Sequence, residues 1–383
     1  MKLFYLLLFS SILFSQPILI DGRFDDWSQI EKLNVDPAGD GNGSVDLLSI
    51  STSSDSARIF MFLEIAEERG ILKNNKITLY IDGDSNAETG FPISGLGAEM
   101  SWVFGEKEGN IYSGGNPTRI THNDIGLITL PTVTSTKFEI AINRSDIPSN
   151  NEGSTLSSFK FMIVGGSNTG DDQMPDGDGG ISFVLSDDPG IPWEMRPITR
   201  FEENDIRIVS QNTLHDGIMV SDRAPAHTRI QQALKPDIVA FQEMWKTSNQ
   251  STVNYLDSIL PQPDGKHWYS TEMEGHVVTA SRFPIIGNWS LWGNRGSRIM
   301  AVLVQIDDAH QVLVMNSHWS CCGADENRQL QADTTINFLR DAYSAGGQLD
   351  LAPNTPVVIM GDLNLVGDSQ QLHTLLTGDI QNE

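Results

Sequence analysis

The chain has 383 residues, 50 of them acidic against 25 basic, and a formal charge of −25. That length admits two or three domains, each with its own core, and the charge argues against a diffuse polyanion-binding surface, which needs clustered Lys and Arg, while leaving room for a local basic patch. The two cysteines, Cys321 and Cys322, are neighbours, which excludes a disulfide framework and leaves either a strained, labile bond or two free, buried thiols.

The chain opens on "MKLFYLLLFSSILFSQ": one lysine, an apolar run from Leu3 to Phe14, then small and polar residues. Too short to span a bilayer, it reads as a signal peptide over residues 1–15. The expected location is outside the cytoplasm of a bacterium, secreted, periplasmic or at the cell surface. No later stretch approaches transmembrane length.

Residues 17–186 carry short alternating runs separated by Gly, Asn, Ser and Asp. "ARIFMFLEI", "KITLYIDGD", "KFEIAI", "SFKFMIVGG" and "ISFVL" are spaced as in an all-β sandwich, and almost nothing has helical period. Asp82, Asp84 and Asn86 alternate like the oxygen ligands of a Ca²⁺ loop, but Ala87 and Ile93 stand where an EF-hand needs Gly and Glu. A solvated turn built on Asp and Asn is the competing reading. Trp27, Trp102 and Trp193 are candidates for stacking on sugars, or else buried strand residues. "SDDPGIPWEMRPITR" interrupts every pattern with three prolines and a glycine, so residues 187–203 read as a linker.

Beyond it the pattern changes to strands mixed with helices, an α/β or α+β domain over residues 204–383. "DIRIVSQNTL", "PDIVAFQEM", "GHVVTASRFPI", "SRIMAVLVQI", "QVLVMNSHWS" and "PVVIMGDLN" read as strands. "RAPAHTRIQQAL", "STVNYLDSIL" and "ENRQLQADTTINFLRDAYSAG" read as helices, the last with an apolar stripe through Leu330, Ile336, Phe338, Leu339 and Tyr343. Four apolar strands end in polar groups: Asn212; Gln242 and Glu243; Asn316 and His318; Asp362 and Asn364. Each alone is explained by a turn, a salt bridge or a satisfied core histidine. Together they suggest one site, since open sheets place their chemistry at strand ends. If Gly361 breaks the last strand and the chain stays extended beyond it, Asp362 and Asn364 share a face.

"IRIVSQNTL", "KPDIVAFQE", "SRFPI", "VLVMNSHWS" and "VVIMGDLN", in that order, resemble the signature segments of the endonuclease/exonuclease/phosphatase superfamily, over about residues 204–383. The resemblance implies a four-layered α/β sandwich like that of deoxyribonuclease I, with its site at one end of two packed sheets. It implies Mg²⁺ or Mn²⁺ as cofactor, with Glu243 as the metal carboxylate and Asn212 beside it. It further implies that Asp362 activates water, that Asn364 donates to a phosphoryl oxygen, and that His318 is a further donor to the phosphate. Family members carry a closing Asp-His pair that this sequence lacks; His373, on an expected helix, is a poor substitute. The domain therefore reads as incomplete and, as it stands, inactive. "ILIDGRFDDW", "LYIDGDSNAETG" and "DDQMPDGDGGISF" resemble family 9 carbohydrate-binding-like or DOMON-like β-sandwich modules.

The expected function is an exported, metal-dependent phosphoesterase, foremost a nuclease-like phosphodiesterase, joined to a module for a glycan or cell-surface ligand. Sphingomyelinase-like or inositol-phosphate-type hydrolysis is the nearest alternative, and a glycan-binding or adhesion protein with a degenerate second domain is the alternative of another class. The substrate is a phosphodiester in nucleic acid, phospholipid or a small molecule, and its identity would lie in loops such as 213–226 and 262–276.

Overall fold

The computed structural model describes residues 17–382 apart from 42–44, 74, 113–115, 150–155, 167–170, 191–196, 274–275 and 292–297. The expected signal peptide and Trp193 lie outside the described residues. The chain divides into two compact units, Met1–Glu194 and Met195–Glu383.

The first unit is built from strands with short 3-10 turns. A five-stranded antiparallel sheet runs in the order Lys32–Val35, Leu47–Ser54, Arg58–Arg69, Ser135–Asn143 and Ile128–Leu130. A second sheet runs Gln173–Met174, Ser158–Val164, Thr78–Asp82, Met100–Val103, Glu108–Ile111 and Thr118–Ile120, with Ile181–Val184 also on Ser158–Val164. Alternate residues of the two sheets, among them Ile59, Met61 and Leu63 from one and Leu79, Ile81, Phe159 and Phe161 from the other, fill one apolar core. That period of two explains why these segments are legible as strands. Trp27 and Trp102 are 4 % and 2 % exposed. Trp27 stacks on Phe62 and donates to Glu139 Oε1 at 2.9 Å. Neither ring is free to stack on a sugar, and of the two readings burial holds for both.

The second unit holds two four-stranded sheets. In chain order its elements are β1 (Ile208–Asn212), α1 (Ala224–Leu234), β2 (Ile238–Gln242), α2 (Asn249–Ile259), β3 (Tyr269–Met273), β4 (Val277–Ser281), β5 (Ile285–Leu291), β6 (Ile299–Gln305), β7 (Gln311–His318), α3 (Asp325–Ala342), β8 (Val357–Asp362) and α4 (Ser369–Thr377). The sheets run β1-β2-β4-β3 and β5-β6-β7-β8. The β1–β2 and β7–β8 pairs are parallel and the others antiparallel.

Three apolar clusters make the layers. Val239, Phe241, Val278 and Ala280 on the first sheet face Leu256 and its helix neighbours. Ile299, Ala301, Leu313 and Met315 on the second face Ala332, Phe338 and Ala342 of α3. Ile238, Val277, Met300, Val302, Val312 and Val314 fill the space between the sheets. The layer order is therefore helix, sheet, sheet, helix. Strands buried on both faces lose the alternation that marks half-exposed ones, which is why β2, β6 and β7 read as continuous apolar runs.

Two expectations need correction. The segment 262–276 is not all loop, because β3 lies inside it. Its polar sequence, "YSTEM", hides the strand. Nor does Gly361 break β8. The strand runs through it to Asp362, and a Cβ at Gly361 would lie 1.9 Å from the Ser317 carbonyl oxygen on β7. The glycine is there because two backbones approach closely.

Between the units, residues 187–189, 197–199 and 201–205 are exposed, Arg200 is half-buried, and none of them belongs to a helix or strand. Brief treatment with a protease of broad specificity is expected to cut first between 187 and 205. A first cut within either core would remove the linker reading.

Candidate active site

Three of the polar strand ends meet at the carboxyl ends of β1, β2 and β8. The Asn212 side-chain amide donates to Glu243 Oε1 at 2.9 Å and to Asp362 Oδ2 at 3.0 Å. It thereby links a group on the first sheet to one on the second. Asn212 Oδ1 accepts from the Leu214 N–H at 2.9 Å, which fixes the orientation of the amide. Glu243 follows β2 with φ +59°, in the left-handed region that costs a non-glycine residue energy. There its Oε2 accepts from the His215 N–H at 3.0 Å. Residues 214, 215 and 216 also have positive φ, and Asp216 ties their loop down by accepting from Lys246 N–H and Thr247 N–H.

Burial acts to raise the Glu243 carboxyl. Hydrogen bonds from the Asn212 amide and the His215 N–H are the largest effects opposing it, and the group is held below the usual glutamate range. Glu243 is thus ionised and ready to face a cation. His318 closes β7 beside Asp362, its register partner. It is 6 % exposed, its Nε2 lies 4.0 Å from Glu243 Oε1, and its Nδ1 has no partner among the described residues. Burial, then the Arg298 charge, push this imidazole below its ordinary value against the opposing pull of Asp362 and Glu243. At neutral pH it is uncharged and offers one N–H.

Asn364 departs from the expectation of a shared face. The extended run stops at Asp362, and Asn364 takes φ +47°. Its N–H donates to Asp362 Oδ1 at 3.1 Å, the turn that Gly, Asp and Asn suggested. Its side-chain NH₂ donates to the Trp319 carbonyl at 3.0 Å, leaving one further N–H. Turn and site are one structure here.

Gln242 and Asn316, the other polar strand ends, do not join this cluster. Gln242 donates to Asn316 Oδ1 at 2.9 Å, and Asn316 donates to Phe241 O, Val278 O and Thr279 Oγ1. They form a buried polar clamp between the sheets. Reasoning from strand ends missed His215, Trp245, His276 and Arg298. Trp245 lies with its ring 5.8 Å from both His215 and His276, and Arg298 stands 5.6 Å over it. The Arg298 carbonyl accepts from the His318 N–H at 2.9 Å, so β6 begins beside the site. Arginine next to a neutral histidine is a donor set for a phosphoryl group. His373 lies elsewhere on α4, 3.9 Å from Asp379, and takes no part in the described cluster.

Cys321 and Cys322 are exposed, with their Sγ atoms 2.6 Å apart, so the expectation of two buried thiols is corrected. In the first unit the expected Ca²⁺ ligands separate. Asp82 and Asp84 converge with Glu99, their oxygens within 4.8 Å of one another. Asn86 instead accepts from the Glu88 N–H at 3.1 Å and donates its own N–H to Asp84 at 2.9 Å. Asp82 is 1 % exposed and its Oδ1 meets no donor among the described residues. Burial raises both Asp82 and Glu99.

The second unit is thus a four-layered α/β sandwich with carboxylates, amides and an imidazole gathered at its strand ends. Residues 210–382, within the second unit, match the Endonuclease/Exonuclease/phosphatase family. Among solved structures, a hairpin-deletion mutant of beta toxin from Staphylococcus aureus is 16% identical, covering 45% of this chain and 71% of its own, with a TM-score of 0.30. Sphingomyelinase C from Streptomyces griseocarneus is 18% identical, covering 45% and 68%, TM-score 0.31. An AP endonuclease from Archaeoglobus fulgidus is 12% identical, covering 45% and 69%, TM-score 0.31. Likenesses this distant do not bear on substrate. No curated protein matches the chain.

Proposed function

We propose that the second unit hydrolyses phosphodiesters with a divalent hard cation, Mg²⁺ or Mn²⁺, and that the protein is an exported, nuclease-like phosphodiesterase. One observation carries the reading: the Asn212 amide joins Glu243 and Asp362 from two different sheets into one cluster beside His318. The donor set fits such an ion, which takes one or two carboxylates and keeps several waters. When bound, the cation supplies charge neutralisation at the phosphoryl group and acidifies nearby water.

The chain's own residues do the rest. Glu243 holds the ion, ionised by its hydrogen bonds. Asn212 keeps Glu243 and Asp362 at a fixed separation. Asp362 takes up a proton from the attacking water. The remaining N–H of Asn364, the N–H of His318 and the Arg298 guanidinium are donors for phosphoryl oxygens as charge develops. Export rests on the sequence of residues 1–15. No described helix is long and apolar enough to cross a membrane. In the first unit, Asp82, Asp84 and Glu99 would hold a Ca²⁺ ion, and a glycan or cell-surface ligand for this unit loses the support of Trp27 and Trp102.

Saturating MgCl₂ is expected to raise the melting temperature of the second unit over its value in EDTA, and Glu243→Gln to abolish that rise. At a hundredfold excess over Kd the stabilisation is about 2.7 kcal/mol. If Glu243→Gln gains as much from Mg²⁺ as the wild type, Glu243 is not the ligand.

A further inference from the structure

The first unit carries a second carboxylate cluster, away from Asp82. Asp36 follows the edge strand Lys32–Val35 of one sheet, and Asp172 precedes the edge strand Gln173–Met174 of the other. Asp40 comes from the turn after Asp36. One oxygen from each lies within 4.8 Å of the others. Two oxygens on opposite sides of a Ca²⁺ ion, each about 2.4 Å from it, are about that far apart.

The cluster is built into the fold. The Asp36 N–H bonds to the Leu48 carbonyl at 2.9 Å, and Asp172 Oδ2 accepts from the Leu47 N–H at 2.7 Å. The turn that carries Asp40 is shaped by Asp46, whose carboxylate accepts from the Gly39 N–H at 2.9 Å. Asp36 and Asp172 are 5 % and 6 % exposed, yet Asp36 Oδ2 meets no hydrogen-bond donor among the described residues. A buried carboxylate with a donor-less oxygen, grouped with two other carboxylates, is costly unless something positive lies among them. The groups that act most on Asp36 are themselves acidic: Asp172, Asp176 and Asp40. Burial and those carboxylates push Asp36 up to about 7, so its negative charge is disfavoured where no cation offsets it.

We infer that Asp36, Asp40 and Asp172 bind a Ca²⁺ ion that clips the edge strands of the two sheets together. Ca²⁺ rather than Mg²⁺ is the choice because the ligands come from three irregular segments, and Ca²⁺ tolerates six to eight oxygens in flexible geometry. Both cysteines lie in the second unit, so no disulfide staples the first. A metal clip supplies the same kind of restraint. The site stands independently of the phosphodiesterase reading and of the Asp82 cluster.

The test is Ca²⁺ titration of the whole chain after EDTA treatment, followed by calorimetry and thermal unfolding. Wild type should bind Ca²⁺ and the first unit's transition should rise by roughly 5 °C or more at a hundredfold excess over Kd. Asp40→Asn, at an exposed position, should leave the EDTA melting temperature unchanged and weaken one Ca²⁺ site at least tenfold. Asp36→Asn removes the buried charge, so it should melt no lower than wild type in EDTA while binding one ion fewer at saturation. Glu99→Gln should keep this site. The inference is overturned if Asp36→Asn and Asp40→Asn bind as many ions as wild type with the same affinity. It is equally overturned if Ca²⁺ leaves the wild-type transition unmoved, the result expected of a proton shared by Asp36 and Asp172.

Discussion

Asp362→Asn is expected to lose more than a hundredfold in turnover on a phosphodiester substrate with Mg²⁺, measured in the full gene product. Both Asp362 oxygens already accept hydrogen bonds, Oδ1 from the Asn364 N–H and Oδ2 from the Asn212 amide. An asparagine there places an NH₂ against one of those two donors, so the substitution removes a charge and also pushes apart the bridge to Glu243. Asn364→Ala is the cleaner companion. It gives up the bond to the Trp319 carbonyl and the spare N–H, but keeps the Asp362 carboxylate. Loss of one transition-state donor typically costs on the order of a hundredfold, about 3 kcal/mol. Because that donor acts on charge that develops during reaction, turnover should fall at near-constant KM. Wild-type turnover in either variant would leave Asp362 and Asn364 as a turn and nothing more.

The longest apolar strands of both units are legible because their physics is local, whereas Leu47–Ser54, the short strands of the first unit and β5 are not read from the sequence. Inward-facing residues alternate in the first unit, and β2, β6 and β7 are apolar throughout because both faces are covered. β3 escaped because "YSTEM" carries no such pattern, being held by pairing with β4. The identities of Asn212, Glu243, His318, Asp362 and Asn364 were also legible, since a polar group at the end of an apolar strand has few cheap explanations. Their arrangement was not. Reading Asp362 and Asn364 as neighbours on one face assumed an extended chain, whereas the backbone turns left-handed at Asn364. Gln242 and Asn316 obey the same strand-end rule yet face each other between the sheets, and only the pairing of whole sheets decides which polar end points where. Arg298, His276 and Glu99 left no signal because each meets its neighbours through tertiary contact alone.

Gly361→Ala is expected to be the most damaging single substitution in the second unit, although it adds one methyl group. Gly361 has φ +132°, a conformation essentially closed to residues with a Cβ. The added Cβ would lie 1.9 Å from the Ser317 oxygen and 2.8 Å from the Ser317 nitrogen, and neither atom can rotate away as the end of a flexible side chain would. In the parallel register Ser317 pairs with Gly361, and the next pair is His318 with Asp362. Relieving the clash therefore means opening the β7–β8 ladder at the residues that hold the site. Strain of this kind costs about 3 kcal/mol or more, which for a unit of this size lowers the melting temperature by roughly 6–12 °C. Gly323→Ala is the control, because nothing lies within 4 Å of the Cβ it would add. In thermal unfolding the control should melt with wild type, while Gly361→Ala should melt well below it and gain less from Mg²⁺. If the two variants melt together, the close approach of β7 and β8 at Gly361 does not exist in solution.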